Sequence, residues 1–195
     1  MTEVRMAKAF DAKYADQLVD WYRESAKQRG TGIANRSAEY LKKKMEKEDA
    51  IIAFDENGDL AGFVYIETFD DQKFVVNSGL IIRPDIRSGG LGKKVKLAVF
   101  DLTRSKYPNS KVFSITTSLA VMRMNTELGY RPVTFSELTT SDDFWNGCKS
   151  CKNFEILTEN QRKMCLCTGL VYDKLDKNLE AKNPTLNLED GKQQR

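Results

Sequence analysis

The stretch DAIIAFDENGDLAGFVYIETFDDQKFVVNSGLII, Asp49 to Ile82, constrains the fold more than any other part of the chain. Two apolar runs flank Glu56-Asn57-Gly58-Asp59. Asn-Gly is a strong hairpin signal, because the tightest hairpin turns need positive φ at their centre. After Asp70-Asp71-Gln72 a third run, FVVNSGLII, reads as another strand. Three consecutive antiparallel strands are therefore expected. Gly79 lies inside the third, where a glycine marks a bulge or a close approach of backbone.

The flanking segments supply helices. Val4 to Phe10 reads as a short strand, and from Asp11 onward Ala15, Leu18, Val19, Tyr22 and Ala26 recur at three- and four-residue spacing. Gly30 is a candidate C-cap, and Ser37 a candidate N-cap for a second helix carrying Leu41 and Met45. Downstream, Leu91, Val95, Ala98, Val99 and Leu102 form one apolar stripe, broken at Pro108-Asn109. Lys111 to Thr116 alternates like a strand, Leu119 to Leu128 reads as a helix capped by Ser118 and stopped at Gly129, and Tyr130 to Phe135 as a last strand. The expected order is strand, helix, helix, three strands, helix, strand, helix, strand. Beyond Ser141 cysteines appear, then polar residues. The expected division is a main domain over 1–140, a cysteine-containing extension over 141–173 packed on it, and a mobile polar tail over 174–195.

Composition excludes several chemistries. The chain has no histidine among its 195 residues, which removes His general bases, Ser-His-Asp and Cys-His nucleophiles, and His-bearing metal sites. A net charge of +3 is too small to argue for a nucleic-acid partner. No apolar run is long enough for a bilayer, and MTEVRMAKAF lacks a signal peptide's apolar segment. The expectation is a cytoplasmic protein with reduced thiols.

The segment RSGGLGKKVK, Arg87 to Lys96, follows the third strand and Pro84. Its glycines let the backbone take positive φ and lie close to a ligand. The first N–H groups of the following helix have no internal acceptor and face the turn, together with the positive end of the helix dipole. That is a site for phosphate oxygens. It is not a P-loop, and a valine at 95 breaks the dinucleotide pattern.

Arg87-x-x-Gly90-x-Gly92 after Ile-Arg-Pro resembles the coenzyme A pyrophosphate loop of the GNAT acetyltransferases, and the element order over about Val4 to Phe135 matches that family as well. The fold this implies is α/β (α+β), with a mixed, mostly antiparallel, splayed central sheet flanked by helices and followed by the cysteine-containing extension. The implied cosubstrate is acetyl-CoA. Its pyrophosphate would be held by the N–H groups of Ser88, Gly89, Gly90, Leu91, Gly92 and Lys93, with Arg87 at the start of the loop. Its pantetheine would pair with the backbone of Leu80, Ile81 and Ile82.

The implied reaction moves an acyl group from a thioester to a neutral amine. Glu67 is the first candidate for the base. The tyrosine that many members place four residues before the glycine of the final-strand motif is Asn125 here. Asparagine cannot act as an acid, though its amide can bond the sulfur or the pantetheine; Tyr65 and Tyr130 remain as hydroxyl sources. Arg29 and Arg36, flanking the loop between the first two helices, and Arg123 are candidates for binding a carboxylate. A free α-amine has a pKa near 8, against about 10.4 for lysine, so a site without a strong base favours an α-amino acceptor. The RGTGIA loop and the CLCTG tail are similar to a bacterial subgroup associated with arginine biosynthesis, which implies glutamate as acceptor. A second reading is a non-catalytic acetyl-CoA-binding regulatory module.

All four cysteines, Cys148, Cys151, Cys165 and Cys167, fall within twenty residues as C-x2-C, then C-x-C. Four thiolates suit a tetrahedral structural zinc, which would help fold a segment with little apolar content. Reduced buried thiols, and a disulfide or iron–sulfur centre, are the other readings. The extension is also a candidate surface for a partner or for a second copy in a homodimer.

Overall fold

The expected meander forms. A computed structural model describes residues 2–29, 36–87 and 89–175, without the side chain of Arg29; the tail after 175, the loop over 30–35 and Ser88 lie outside the described residues. In chain order the elements are β1 (Glu3–Met6), α1 (Ala15–Arg29), α2 (Ala38–Glu46), β2 (Ala50–Phe54), β3 (Leu60–Phe69), β4 (Phe74–Ile82), α3 (Leu91–Lys106), β5 (Lys111–Thr116), α4 (Leu119–Glu127), β6 (Arg131–Val133), α5 (Asp142–Asn146), α6 (Phe154–Glu159) and β7 (Thr168–Tyr172). Ser37 and Ser118 cap their helices as expected, accepting from the N–H of Tyr40 at 3.1 Å and of Val121 at 3.4 Å. The first hairpin differs in its turn. Only Gly58 takes positive φ, and the Asp55 carboxylate collects the N–H groups of Asn57 and Asp59 at 2.9 and 3.0 Å. A side-chain acceptor thus replaces the tight Asn-Gly turn, and the register shifts between Ala53 and Phe54.

The strands form one seven-stranded sheet in the order β1-β2-β3-β4-β5-β7-β6. Every pairing is antiparallel except β4 with β5, which is parallel and spans only Phe74–Lys111, Val75–Val112 and Val76–Phe113. Beyond Val76, β4 stays with β3 as far as Ile82, while β5 stays with β7 as far as Thr116. The sheet therefore splays at its middle. The cysteine-bearing segment is a structural part of the second half, since its strand β7 lies between β5 and β6.

Side-chain alternation sorts the core. Ile52, Phe63, Tyr65 and Ile81 face α1 and α2, where Leu18, Tyr22, Leu41 and Met45 complete one cluster. Ile51, Val64, Ile66 and Val75 face α3, against Leu91, Val95 and Val99. Each such side chain contributes about 1.5–3 kcal/mol on burial. A third cluster, with Val76, Phe113, Trp145, Leu157 and Val171, joins the far half of the sheet to α5 and α6. Among the described residues no helix is long and apolar enough to cross a membrane.

Candidate active site

The parting of β4 from β5 opens a cleft of about 730 Å³. Val76 to Ile81 form one wall and Ser114 to Ser118 the other. One end reaches Tyr22, Arg36, Tyr40 and Glu67, and the cysteine-bearing segment closes a side.

The glycine turn lies past the end of β4. Arg83 anchors it, bonding Asp55 at 2.7 Å, Leu60 O at 3.1 Å and Asp85 at 2.9 Å. Pro84 opens a short 3-10 turn, and Gly90 caps α3 with φ +76, a conformation costly for any residue with a side chain. The N–H of Gly89 donates to Ile86 O at 3.3 Å and that of Lys93 to Gly90 O at 3.1 Å. Gly90, Leu91 and Gly92 then present the N–H groups without a backbone acceptor among the described residues. A Cβ on Gly90 would meet nothing within 4 Å, so the turn is open to a ligand. The two flanking cations are restrained: Arg87 Nε donates to Ile82 O at 3.1 Å, and Lys93 Nζ pairs with Glu127 at 2.7 Å.

The other end is built around a bulge. Phe63 pairs with Ile81, but Tyr65 pairs with Ser78, so β4 carries one extra residue there. Gly79 sits in it with φ +68, as its position inside the strand suggested. A Cβ at Gly79 would lie 2.5 Å from the Tyr65 ring and 2.7 Å from the Tyr22 hydroxyl, so this glycine is required by packing as well as by backbone. The Tyr22 hydroxyl donates to Gly79 O. Arg36 donates from Nε to the Tyr65 hydroxyl, with its guanidinium 4.7 Å from the Tyr22 ring centroid and 5.4 Å from that of Tyr65. The Tyr40 hydroxyl donates to Glu67 Oε1, and Lys44 Nζ to Ile66 O at 2.7 Å. Burial pushes Tyr22, Tyr40 and Tyr65 above the ordinary tyrosine range, and the Glu67 charge adds to this for Tyr40. All three are neutral phenols at pH 7, Tyr22 and Tyr40 donating and Tyr65 accepting. The pocket thus offers a cation, a half-buried carboxylate and an aromatic frame.

The expected site residues are placed differently. Leu80, Ile81, Arg36 and Glu67 line the cleft, and Ile82 leads to the glycine turn. Asn125 is fully buried on α4 and is not among the residues lining the cleft, and neither its side-chain nitrogen nor its side-chain oxygen has a partner among the described residues. Arg123 is exposed and outside the cleft lining; α4 presents Val121 there, and a two-residue step carries Arg123 to the opposite face. The Arg29 side chain and Ser88 are not described. Tyr22 and Tyr40 escaped the sequence reading because their spacing shows only a helix stripe; nothing local places them beside Arg36 and Glu67.

All four cysteines line the cleft as free thiols. The structural-zinc expectation finds no matching geometry: among the described residues no group of three or more His, Cys, Asp or Glu is arranged to hold a metal ion. Burial pushes the Cys148 thiol up to about 11 and the Cys167 thiol up to about 12, with neighbouring cysteines adding to both shifts. Packing against the third core therefore favours the neutral thiol.

No protein-family model matches this chain, and no curated protein does. Solved structures do. N-acetylglutamate synthase from Neisseria gonorrhoeae, complexed with coenzyme A and N-acetyl-glutamate, is 20% identical with a TM-score of 0.60 over 89% of this chain and 35% of its own. The chain thus spans about a third of that protein's length. A GNAT-family acetyltransferase from Staphylococcus aureus is 10% identical with a TM-score of 0.61, over 89% of this chain and 99% of its own. A GNAT phosphinothricin acetyltransferase from Sinorhizobium meliloti, in complex with acetyl-CoA, is 14% identical with a TM-score of 0.58, over 88% of each chain. The fold is that of the GNAT acetyltransferases.

Proposed function

We propose that this GNAT-fold chain is an acyl-CoA-dependent N-acetyltransferase, moving an acetyl group from acetyl-CoA to the primary amine of a small amino acid such as glutamate. One observation carries the reading. Beyond the Val76–Phe113 pair β4 has, among the described residues, an edge without a strand partner, set between a turn of open N–H groups and a pocket holding Arg36 and Glu67.

The N–H groups of Gly90, Leu91 and Gly92 receive the pyrophosphate, and Arg87 adds charge. The pantetheine amides pair along Leu80 to Ile82 as an added strand would. That line delivers the thioester to the bulge at Gly79, beside Glu67. The amine attacks the carbonyl carbon, a C–N bond forms and the C–S bond breaks. Backbone N–H at the splayed strand meets the oxyanion. Glu67 accepts the proton the nitrogen loses, with Tyr40 holding the carboxylate in place. The sulfur takes up one proton. Arg36 supplies the charge for an acceptor carboxylate. The ligands of the Neisseria structure, coenzyme A and N-acetyl-glutamate, support glutamate as the first acceptor to test.

The test is thiol release from acetyl-CoA in the presence of each amino acid. The expected result is turnover with an acidic α-amino acid, lost in Glu67→Gln. Failure of the protein to bind CoA overturns the reading. Binding without turnover for any amine supports a regulatory acetyl-CoA sensor, the reading favoured by asparagine at 125 in place of a tyrosine.

A further inference from the structure

Two charged side chains are buried among the described residues, and the fold treats them differently. Asp11 is met by the Arg5 fork at 2.7 and 2.8 Å. Lys96, on α3 and 3% exposed, pairs with no carboxylate among the described residues. Its Nζ donates to Asn77 Oδ1 at 3.1 Å and lies 5.1 Å from the Tyr130 ring centroid. A buried ammonium without a counter-charge costs several kcal/mol, and burial pushes this one down to about 7. An apolar residue at this point of the helix stripe would pack without that cost.

The surroundings hold the cation at one place. Asn77 Oδ1 also accepts from the Tyr130 hydroxyl at 3.3 Å. Asn77 Nδ2 donates to Thr103 Oγ1 at 2.8 Å, and Thr103 donates to Val99 O at 2.7 Å. The titratable group facing Lys96 is Tyr130, which burial keeps neutral; Tyr172 and Arg104 stand behind it. Asn77 is the first β4 residue past the last β4–β5 pair, and it lines the cleft. The ammonium therefore lies one amide away from the closed end of the splay. An arm running from the glycine turn back along Ile82 to Leu80 points its sulfur toward that end.

We propose that Lys96 is a positioning cation for the leaving group: through Asn77 it sets positive charge beneath the sulfur and stabilises the thiolate as the C–S bond breaks. This rests on the acetyl-CoA reading above. The electron pair of the broken bond goes to sulfur, the proton sulfur finally takes is the one the amine gives up, and Lys96 begins and ends the cycle protonated. Its effect is therefore greatest near and below pH 7 and fades as it loses that proton at higher pH. The arrangement supplies charge where the asparagine at 125 cannot supply a proton.

The test is the thiol titration of bound CoA, followed by ultraviolet thiolate absorbance with desulfo-CoA complexes subtracted to remove the protein's own cysteines. In Lys96→Arg, whose charge persists through the titration, the thiol is expected to titrate about one pH unit or more below its value in Lys96→Met, with the wild type between the two because Lys96 itself loses its proton from about pH 7 upward. Turnover should agree: kcat falls roughly tenfold or more in Lys96→Met, KM for acetyl-CoA moves less than about threefold, and Lys96→Arg recovers kcat. Thermal melting of Lys96→Met checks that it folds, as replacement of an unpaired buried charge by an apolar side chain allows. Equal thiol titration in Lys96→Arg and Lys96→Met, with CoA bound to both, overturns this inference and leaves the acetyltransferase reading standing. A wild-type protein that binds no CoA overturns both.

Discussion

The two ends of the cleft are made by different means. At the glycine turn the donors are backbone N–H groups within a few residues of one another, and a Cβ at Gly90 would meet open space. At the end holding Arg36 and Glu67 the groups are side chains from α1, the approach to α2, α2 itself and β3, gathered around the β4 bulge, and a Cβ at Gly79 would overlap two tyrosines. The first end is local in sequence and tolerant in space. The second is assembled from distant positions and packed without slack. Phosphate oxygens are bound by peptide groups that any sequence has, provided the turn is shaped; an amine and a carboxylate need chosen side chains.

The sharpest way to break this comparison is at Gly79. Gly79→Val is expected to cost roughly 3 kcal/mol or more, from strained φ and from overlap with Tyr65 and Tyr22, and to abolish turnover. Urea denaturation and thiol release measure the two effects; a well-folded, active valine variant would show that the cage is not closely packed. Next, Glu67→Gln is expected to lower kcat/KM for the amine about 100-fold or more while the affinity for CoA stays within about twofold. An equal loss of CoA affinity would erase the distinction between the two ends.

Lys96 sharpens the comparison at the closed end, through pH. Its folded value of about 7 lies below the ordinary lysine value, so between the two the unfolded chain holds a proton that the folded chain lacks. Stability should therefore rise with pH across that window, and the cost of burying the charge is greatest below pH 7. Denaturation at pH 7 and pH 9 should show a slope larger in wild type than in Lys96→Met by up to about 1.4 kcal/mol per pH unit. The smallest effect is expected at the open end. Gly90→Ala should cost about 1 kcal/mol of stability, because only the left-handed φ opposes it, with CoA affinity reduced about tenfold and KM for the amine nearly unchanged. Calorimetry with CoA separates this from the Gly79 effect.

Much of the framework was legible in the residues. Ser37 and Ser118 announced their helices, Gly79 announced the bulge, and the order of elements as far as β6 followed from the switch between strand and helix spacing, whereas α5, α6 and the further strand β7 did not. The glycine turn was legible because its donors are contiguous. Arg123 was misplaced because a short helix shows its period only weakly, and one step of two residues reverses the face. The cysteines were read from spacing alone. Spacing does not carry the burial that raises the thiols at 148 and 167, nor the fact that β7 inserts between β5 and β6.

By itself the sequence determined which chemistry was open to this chain: no histidine, a strand–glycine–helix turn fit for phosphate, and a carboxylate near the end of a long strand. The tertiary structure alone decided that β4 and β5 part after Val76, that Arg36 is framed by Tyr22 and Tyr65, and that Lys96 is buried without a counter-charge among the described residues. The reason is physical. Backbone conformation and helix termini are properties of neighbouring residues, whereas desolvation and the meeting of charged groups depend on which distant surfaces come together.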